Sequence, residues 1–162
     1  MIGLPALAGA TPYHVGCVAR DVAATCTALS AALAVRWTPV QERTLDARVA
    51  EGRRTFALKF VYSTTPTHLE VIEHAPGTMW TAADAFTIHH LGYWTDDLVA
   101  DHARLVAKGW DCVYAGATDE HDGVVRGAYF RAPSGPLVEI VDSALRPGFD
   151  ELIDSATAAA VR

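Results

Sequence analysis

Ile88–Leu98, with the sequence IHHLGYWTDDL, determines the fold because an earlier stretch of the chain repeats it. Tyr13–Val22, YHVGCVARDV, carries the same pattern 76 residues upstream, so that His90 aligns with His14. The other matched positions pair Leu91 with Val15, Gly92 with Gly16, Asp97 with Asp21 and Leu98 with Val22. Each copy reads as a strand, an aspartate that caps a helix, and then the helix itself.

A second pair of similar stretches follows the first. The segment 68–72 reads HLEVI and the segment 137–141 reads LVEIV, and each places a single glutamate, Glu70 or Glu139, inside an apolar strand. The chain is therefore interpreted as one module written twice. Each copy contributes one histidine and one glutamate.

The order of elements predicted for each copy is βαβββ. In the first copy the helix runs from Val22 to about Val35, and its apolar stripe is formed by residues spaced four, three and four apart: Val22, Cys26, Leu29 and Leu33. The strands predicted for the first copy are Tyr13–Ala19, Trp37–Thr44, Thr55–Ser63 and His68–Glu73. Those of the second copy are Phe86–Thr95, Trp110–Ala115, Val124–Arg131 and Pro136–Asp142, with a helix capped by Asp96 or Asp97 and ended by Gly109.

The predicted fold class is α+β, with two tandem βαβββ modules that form a cupped mixed β-sheet and carry their helices on the outer face. Residues 1–144 form a single domain in this interpretation. Module 1 covers about 12–74, a linker covers 75–85 with a single helical turn near Thr81–Ala85, and module 2 covers about 86–143. Residues 145–162 are predicted to be a helical tail, because Phe149–Ala160 is rich in alanine.

Composition restricts the class of function. Of 162 residues 51% are hydrophobic and 20% are charged, which is typical of a globular chain. The net charge of −6 argues against a nucleic-acid partner, since such a partner needs a basic surface. Three cysteines without CxxC spacing argue against a disulfide scaffold or a zinc knuckle, and are interpreted as small buried hydrophobic residues.

No apolar run approaches the roughly 18 residues that a membrane span needs, and the N-terminus lacks the pattern of a signal peptide. We therefore expect a cytoplasmic protein that acts on a small molecule and does not bind a membrane. Homodimerisation through exposed sheet edges is a further expectation, because edge strands are usually covered.

Strand alternation predicts which side chains share a face of the sheet. If Val15 faces the first helix, His14 faces away from it, and the same parity sends His90, Glu70 and Glu139 to the face opposite the helices. Two imidazoles and two carboxylates suit a divalent metal that keeps positions open to substrate, and Fe, Mn, Co, Ni and Zn are all chemically suitable. A lone strand histidine is usually structural and a lone glutamate usually faces solvent. Because histidine and glutamate recur at equivalent positions in both copies, the duplication favours a metal site over these two alternatives.

Four further residues are candidates for the same cavity. His68 has the parity of Glu70 and is a candidate substrate-binding residue, as is Trp94, which has the parity of His90. Trp80 and Phe86 are candidates for the rim of the pocket. For each aromatic residue, plain core packing is an equal alternative, and for His68 the alternative is a mobile residue at the start of a strand.

At this point the motifs resemble those of the vicinal oxygen chelate superfamily, which includes glyoxalase I, methylmalonyl-CoA epimerase, extradiol dioxygenases and bleomycin-resistance proteins. Tyr13–Val22 resembles the HVGxxVxDV opening of the family, and Ile88–Leu98 is similar to the HHxxYxVDDL stretch of its epimerase-like branch. Gly127–Val141, GAYFRAPSGPLVEIV, resembles the closing GxxxFxxPxGxxxELV hairpin. The resemblance covers about residues 12 to 143.

The resemblance implies that His14, Glu70, His90 and Glu139 are the four ligands of a divalent metal ion. It further implies an enzyme that enolises a small oxygenated substrate, as an isomerase, epimerase or lyase. Glu139 is then the first choice for the catalytic base and Glu70 its symmetric partner, with Glu42 as an outside candidate. The alternatives are an Fe(II)-dependent dioxygenase of the extradiol type and a non-catalytic protein that binds a small molecule or an antibiotic.

Overall fold

A computed structural model describes residues 11–120, 123–135 and 137–159. Predictions that concern residues 1–10, Pro136 or Ala160 lie outside the described residues. In the first module the strands are β1 (His14–Ala19), β2 (Gln41–Val49), β3 (Gly52–Tyr62) and β4 (His68–Glu73), with helix α1 (Val22–Leu33) after β1. In the second module they are β5 (Phe86–Thr95), β6 (Asp111–Gly116), β7 (Gly127–Arg131) and β8 (Leu137–Asp142), with α2 (Leu98–Ala107) after β5. A 3₁₀ turn, Ser143–Leu145, leads into α3 (Arg146–Ala159).

The contacts divide the chain into two compact units. Of the described residues, the first unit comprises His14–Thr44, Ala57–His89 and 147–159. The second unit comprises Leu45–Phe56 together with 11–13, 90–120, 123–135 and 137–146. The boundaries fall inside the β2–β3 hairpin, so the tip of that hairpin belongs with the second module.

In the first unit β1 and β4 are parallel neighbours, and β3 pairs antiparallel with β4. Asp21 caps α1, since its carboxylate accepts a hydrogen bond from the Ala24 N–H at 2.8 Å. The helix covers one face of these strands, where Val22, Cys26 and Leu29 pack on a buried cluster. That cluster consists of Ala19, Val61 and Val71. Residues of the opposite parity, His14 and Glu70 among them, therefore face away from α1.

The second unit repeats this arrangement. Here β5 and β8 are parallel, β7 pairs antiparallel with both β8 and β6, and β6 pairs with the end of β2. Asp97 caps α2 through the Ala100 N–H at 2.9 Å. The helix buries its apolar stripe on one face of the strands, in a cluster of Leu98, Leu105, Ala115, Ala128, Phe130, Val138 and Ile140. His90 and Glu139 have the parity that faces away from this cluster.

The predicted fold class is confirmed. Both modules have the order βαβββ, the sheet is mixed, and α1 and α2 each cover one face of their own strands. The predicted bounds of β4 and β5 agree with the structure to the residue.

Several predicted element bounds are wrong. The second strand was expected at Trp37–Thr44 but lies at Gln41–Val49, and Trp37 makes only an isolated bridge to Ser63. The strand expected from Val124 begins at Gly127, because Arg126 has a φ of 66° and an extended strand cannot include that conformation.

The end of α1 and the structure of the linker also differ from the predictions. Leu33 was expected on the inner stripe but is 59% exposed, because α1 ends there and Ala34 adopts the left-handed conformation with a φ of 55°. The linker has no helix at Thr81–Ala85. Trp80 is fully buried and not at a rim, whereas Phe86 is 39% exposed.

Candidate metal centre

The first predicted pair, His14 and Glu70, meets across the parallel strands β1 and β4. In this register His14 lies beside His68, and Gly16 lies beside Glu70. Because Gly16 has no side chain, the Glu70 carboxylate can lean along the strand toward His14. The Nε2 atom of His14 and the Oε2 atom of Glu70 are 3.5 Å apart, and both side chains are buried.

The second pair, His90 and Glu139, has the same geometry across β5 and β8. Here His90 lies beside Leu137, and Gly92 lies beside Glu139. The Nε2 atom of His90 and the Oε2 atom of Glu139 are again 3.5 Å apart. The imidazole is buried, while the carboxylate side chain is 15% exposed. The sequence repeat is thus a repeat of geometry down to the glycine beside each glutamate.

The donor set in each pair fits a divalent cation. Imidazole nitrogen and carboxylate oxygen bind such ions at about 2.0–2.2 Å, which places neighbouring ligand atoms about 3.0 Å apart around a six-coordinate ion and about 3.4 Å apart around a tetrahedral one. The observed separations of 3.5 Å lie close to this range, and they exceed a typical N–H···O hydrogen bond of about 2.7–3.2 Å. A carboxylate as buried as Glu70 also needs compensating charge or hydrogen bonds, which a cation would help to supply.

A tyrosine accompanies each glutamate, and the sequence analysis missed both. Tyr62 on β3 lies beside Glu70, and Tyr129 on β7 lies beside Glu139. The Tyr62 hydroxyl donates a hydrogen bond to Oε1 of Glu70 at 2.5 Å. Tyr129 meets the imidazole ring of His90 edge-on, with the ring centroids 4.9 Å apart. The signal was available in the sequence, since both third strands of the modules carry a tyrosine with the parity of the glutamate.

The negative charges of Glu70 and Glu139 contribute to raised pKa values of two neighbouring groups. Burial and, second, the Glu70 carboxylate raise the pKa of the Cys17 thiol to about 11. Burial and, second, Glu139 raise the pKa of Tyr114 well above its ordinary value. Both neighbours therefore stay neutral near pH 7, and neither adds negative charge beside the carboxylates.

The two predicted substrate-binding residues lie in different surroundings. His68 is buried at the start of β4, with its Nδ1 atom 2.7 Å from the Ser63 carbonyl oxygen. This contact fixes the ring, so His68 is not a mobile residue. Trp94 is half-buried on β5 and stacks on Tyr13, with ring centroids 4.0 Å apart and planes 16° apart.

Glu42, the outside candidate for a base, lies elsewhere in the first unit. Its carboxylate is exposed and forms an ion pair with Lys59 at 3.0 Å, and this partner raises the pKa of the lysine. Both residues line a groove of about 690 Å³ next to α1, together with Cys26 and Trp37. Glu42 therefore lies on the helix side of the strands and not beside Glu70.

The structure thus brings the predicted ligands together as two His/Glu pairs, one in each unit. Within the described ranges, no helix is long and apolar enough to cross a membrane.

A family model described as "Glyoxalase/Bleomycin resistance protein/Dioxygenase superfamily" matches residues 13–130, which is more than half of the chain. No curated protein matches the chain in sequence.

Solved structures with a similar fold include two methylmalonyl-CoA epimerases. A variant of the Streptomyces coelicolor enzyme, in complex with 2-nitronate-propionyl-CoA, is 18% identical, covers 81% of this chain and 95% of its own, and has a TM-score of 0.56. The Mycobacterium tuberculosis enzyme is 17% identical over 80% of this chain and 85% of its own, with a TM-score of 0.52. A variant of 4-hydroxymandelate synthase from Streptomyces coelicolor is 13% identical over 82% of this chain and 48% of its own, with a TM-score of 0.52.

Proposed function

Because the chain belongs to the glyoxalase/bleomycin resistance protein/dioxygenase superfamily, as its motifs predict, we propose that it is a metal-dependent enzyme that enolises a small oxygenated substrate. The reaction would be that of an isomerase, epimerase or lyase. The observation that carries the proposal is the pair of His/Glu sets with equal 3.5 Å spacing, one in each module. All four family ligand positions hold competent residues.

In this proposal His14, Glu70, His90 and Glu139 hold one divalent ion, whose identity among Fe, Ni, Zn, Co and Mn stays open. When bound, such an ion acts as a Lewis acid that lowers the cost of negative charge on a carbonyl oxygen. Four protein ligands leave positions for two neighbouring oxygen atoms of a substrate if the ion is six-coordinate. The two imidazoles bind in the neutral form, so the two carboxylates balance the charge of the ion.

The residues of the chain divide the remaining work. Glu139 is the proposed base that accepts the proton from the carbon beside the carbonyl group, because its carboxylate is the more exposed of the two. Glu70 is held by the Tyr62 hydroxyl and is proposed to remain a ligand, although it is the symmetric candidate for the base. His68 and Trp94 are proposed to contact the substrate.

The test of this function is proton exchange in D₂O. Metal-loaded protein is incubated with small compounds that carry a C–H bond beside a carbonyl group and a second oxygen next to it, including 2-substituted malonyl thioesters and 2-hydroxy ketones. We expect NMR to show deuterium entering that position in at least one compound, and the exchange to be lost in Glu139→Gln. Oxygen uptake with a catechol and Fe(II), without exchange, would instead identify a dioxygenase. Ligand-induced stabilisation without metal would identify a binding protein.

We also propose that the protein is a homodimer. Phe86 and Ile88 lie on one side of β5 and are 39% and 70% exposed, which is a large exposure for apolar side chains on a strand. Light scattering should give twice the chain mass for the wild type and the chain mass for Ile88→Glu. A monomeric wild type would refute this assignment without affecting the metal site.

A further inference from the structure

Helix α3 lies beyond the part of the chain that the family model matches, which ends at residue 130. It is amphipathic, because Phe149, Leu152, Ile153 and Ala156 are spaced three, one and three residues apart and are the less exposed positions of the helix. Ile153 is 9% exposed, so this face of the helix is covered by other parts of the protein. The helix therefore has a defined orientation, with this face turned toward the protein.

Phe149 lies one turn before Ile153, and its ring contacts two side chains near Glu70, a proposed metal ligand. Its ring meets Tyr62 edge-on at a centroid distance of 5.0 Å and an angle of 84°. It meets His68 in the same way at 5.1 Å and 78°. Tyr62 in turn donates its hydrogen bond to Glu70. Phe149 is thus one aromatic neighbour away from the first His/Glu pair.

The three rings form a surface and not a closed core. Phe149 and Tyr62 are only half-buried, in contrast to Ile153, which is buried. The His68 ring is fixed by the Ser63 carbonyl group, and the Tyr62 ring is fixed by its hydrogen bond to Glu70. Edges and faces of fixed rings are suited to a flat apolar group, since aromatic pairs add about 0.5–1.5 kcal/mol beyond area burial.

We propose that Phe149 is a specificity-determining residue, which together with His68 and Tyr62 forms an aromatic wall beside Glu70 that selects substrates carrying a flat, aromatic group. This inference rests on the proposed function, because it assumes that the substrate is held by a metal ion at Glu70. It adds the substrate class, an aromatic or similarly planar compound with two neighbouring oxygens.

The experiment uses full-length protein loaded with Co²⁺, whose visible spectrum reports on its ligands. Acetohydroxamate and benzohydroxamate present the same pair of chelating oxygens, and only the second carries a ring. We expect the wild type to bind benzohydroxamate more tightly. In Phe149→Ala and Phe149→Leu the affinity for benzohydroxamate should fall about two- to twelvefold, which is the ring–ring contribution converted to affinity, while acetohydroxamate changes less than twofold. Leu152→Ala, which removes another half-buried apolar residue of α3, should change neither.

The outcomes separate the two proposals. If Co²⁺ and both probes bind but the ratio of their affinities is the same in the wild type and both Phe149 variants, the aromatic wall is refuted and the metal site stands. If the wild type binds neither Co²⁺ nor the probes, the proposed function fails and the wall fails with it. Because the ratio is taken within each variant, partial loss of folded protein does not alter it, and Phe149→Leu keeps most of the apolar volume that holds α3.

Discussion

The Glu70 carboxylate in the first module accepts a hydrogen bond from Tyr62 and is 7% exposed as a side chain, whereas the Glu139 carboxylate in the second module is 15% exposed. Each carboxylate lies 3.5 Å from the histidine of its pair, so the two pairs have the same spacing. They differ in the residues and the solvent around the carboxylate. In the proposed function these are two equal sets of ligands, and the more exposed carboxylate, Glu139, is the proposed base, while Glu70 is the ligand that also accepts the Tyr62 hydrogen bond.

The first helices of the two modules, α1 and α2, also differ in the contacts that hold them. The position of Ala19 in the first module is taken by Thr95 in the second, and that of Thr25 is taken by Asp101. Thr95 donates a hydrogen bond to the buried Asp101, which also pairs with Arg104. The first helix has no buried residue; it is held by partly buried apolar contacts and by a hydrogen bond that Nε1 of Trp37 donates to the Ser30 hydroxyl at 2.9 Å. The second helix therefore has a buried polar link in addition to its buried apolar stripe, whereas the polar link of the first helix is only partly buried.

The largest expected effect tests whether the two glutamates have different roles. Glu139→Gln should reduce proton exchange into an active compound by about 10²- to 10⁴-fold, the usual contribution of a general base. Glu70→Gln should act mainly through weaker metal binding, so that excess metal restores much of its exchange rate. NMR in D₂O at two metal concentrations measures both. Equal and unrescued losses in the two variants would mean that the surroundings do not divide the roles.

The helix comparison predicts the next largest effect. Asp101→Ala should lower the free energy of unfolding by about 1.5–3 kcal/mol, because it removes a charged hydrogen-bond acceptor and leaves Thr95 buried without it. The matched variant Thr25→Ala should change the free energy of unfolding by less than about 0.5 kcal/mol. Urea titrations followed by circular dichroism give both values. Similar losses in the two variants would contradict the polar anchor of α2.

The hydrogen bond of Tyr62 predicts a smaller effect. Tyr62→Phe should weaken metal binding roughly tenfold, since outer-shell partners of ligands typically contribute that much to affinity. Tyr93→Phe is the control, because Tyr93 packs against the α2 cluster on the other face of its strand. Competition with a chelator of known affinity measures both variants. If Tyr62→Phe binds metal as tightly as the control, the hydroxyl does not position Glu70.

The smallest effect concerns the pH dependence of stability. His102 on α2 occupies the position that Cys26 has on α1, and burial together with Arg48 lowers its pKa below 6.5. The neutral ring is favoured in the folded state, so its contribution is complete above pH 6.5 and is lost as the pH falls through the lowered pKa. His102→Cys copies the first helix and should have a flatter stability profile between about pH 5 and 7. Identical slopes for variant and wild type would refute this.

The sequence predicted the parts of the molecule that are specified by periodicity and by repetition. Strands β4 and β5 were placed to the residue, and the two His/Glu pairs followed from side-chain parity along the first and last strands of each module. β2 was misplaced because five of its nine residues are exposed and four are charged, so its pairing, and not an apolar pattern, defines it. Tyr62 and Phe149 were missed because their contacts with Glu70 and His68 depend on register and on a helix from outside the repeat.

The central claim is that the two His/Glu pairs hold a metal, and elemental analysis tests it most directly. The protein is purified without a tag or a chelator, beside His14→Ala, Glu139→Ala and the control His74→Ala, whose ring accepts a hydrogen bond from Ala82 in the linker. We predict about one divalent metal ion per chain in the wild type and the control, and its loss in the other two variants. No metal in the wild type, even after addition of Fe, Ni, Zn and Co, or full retention in His14→Ala and Glu139→Ala, would contradict the claim.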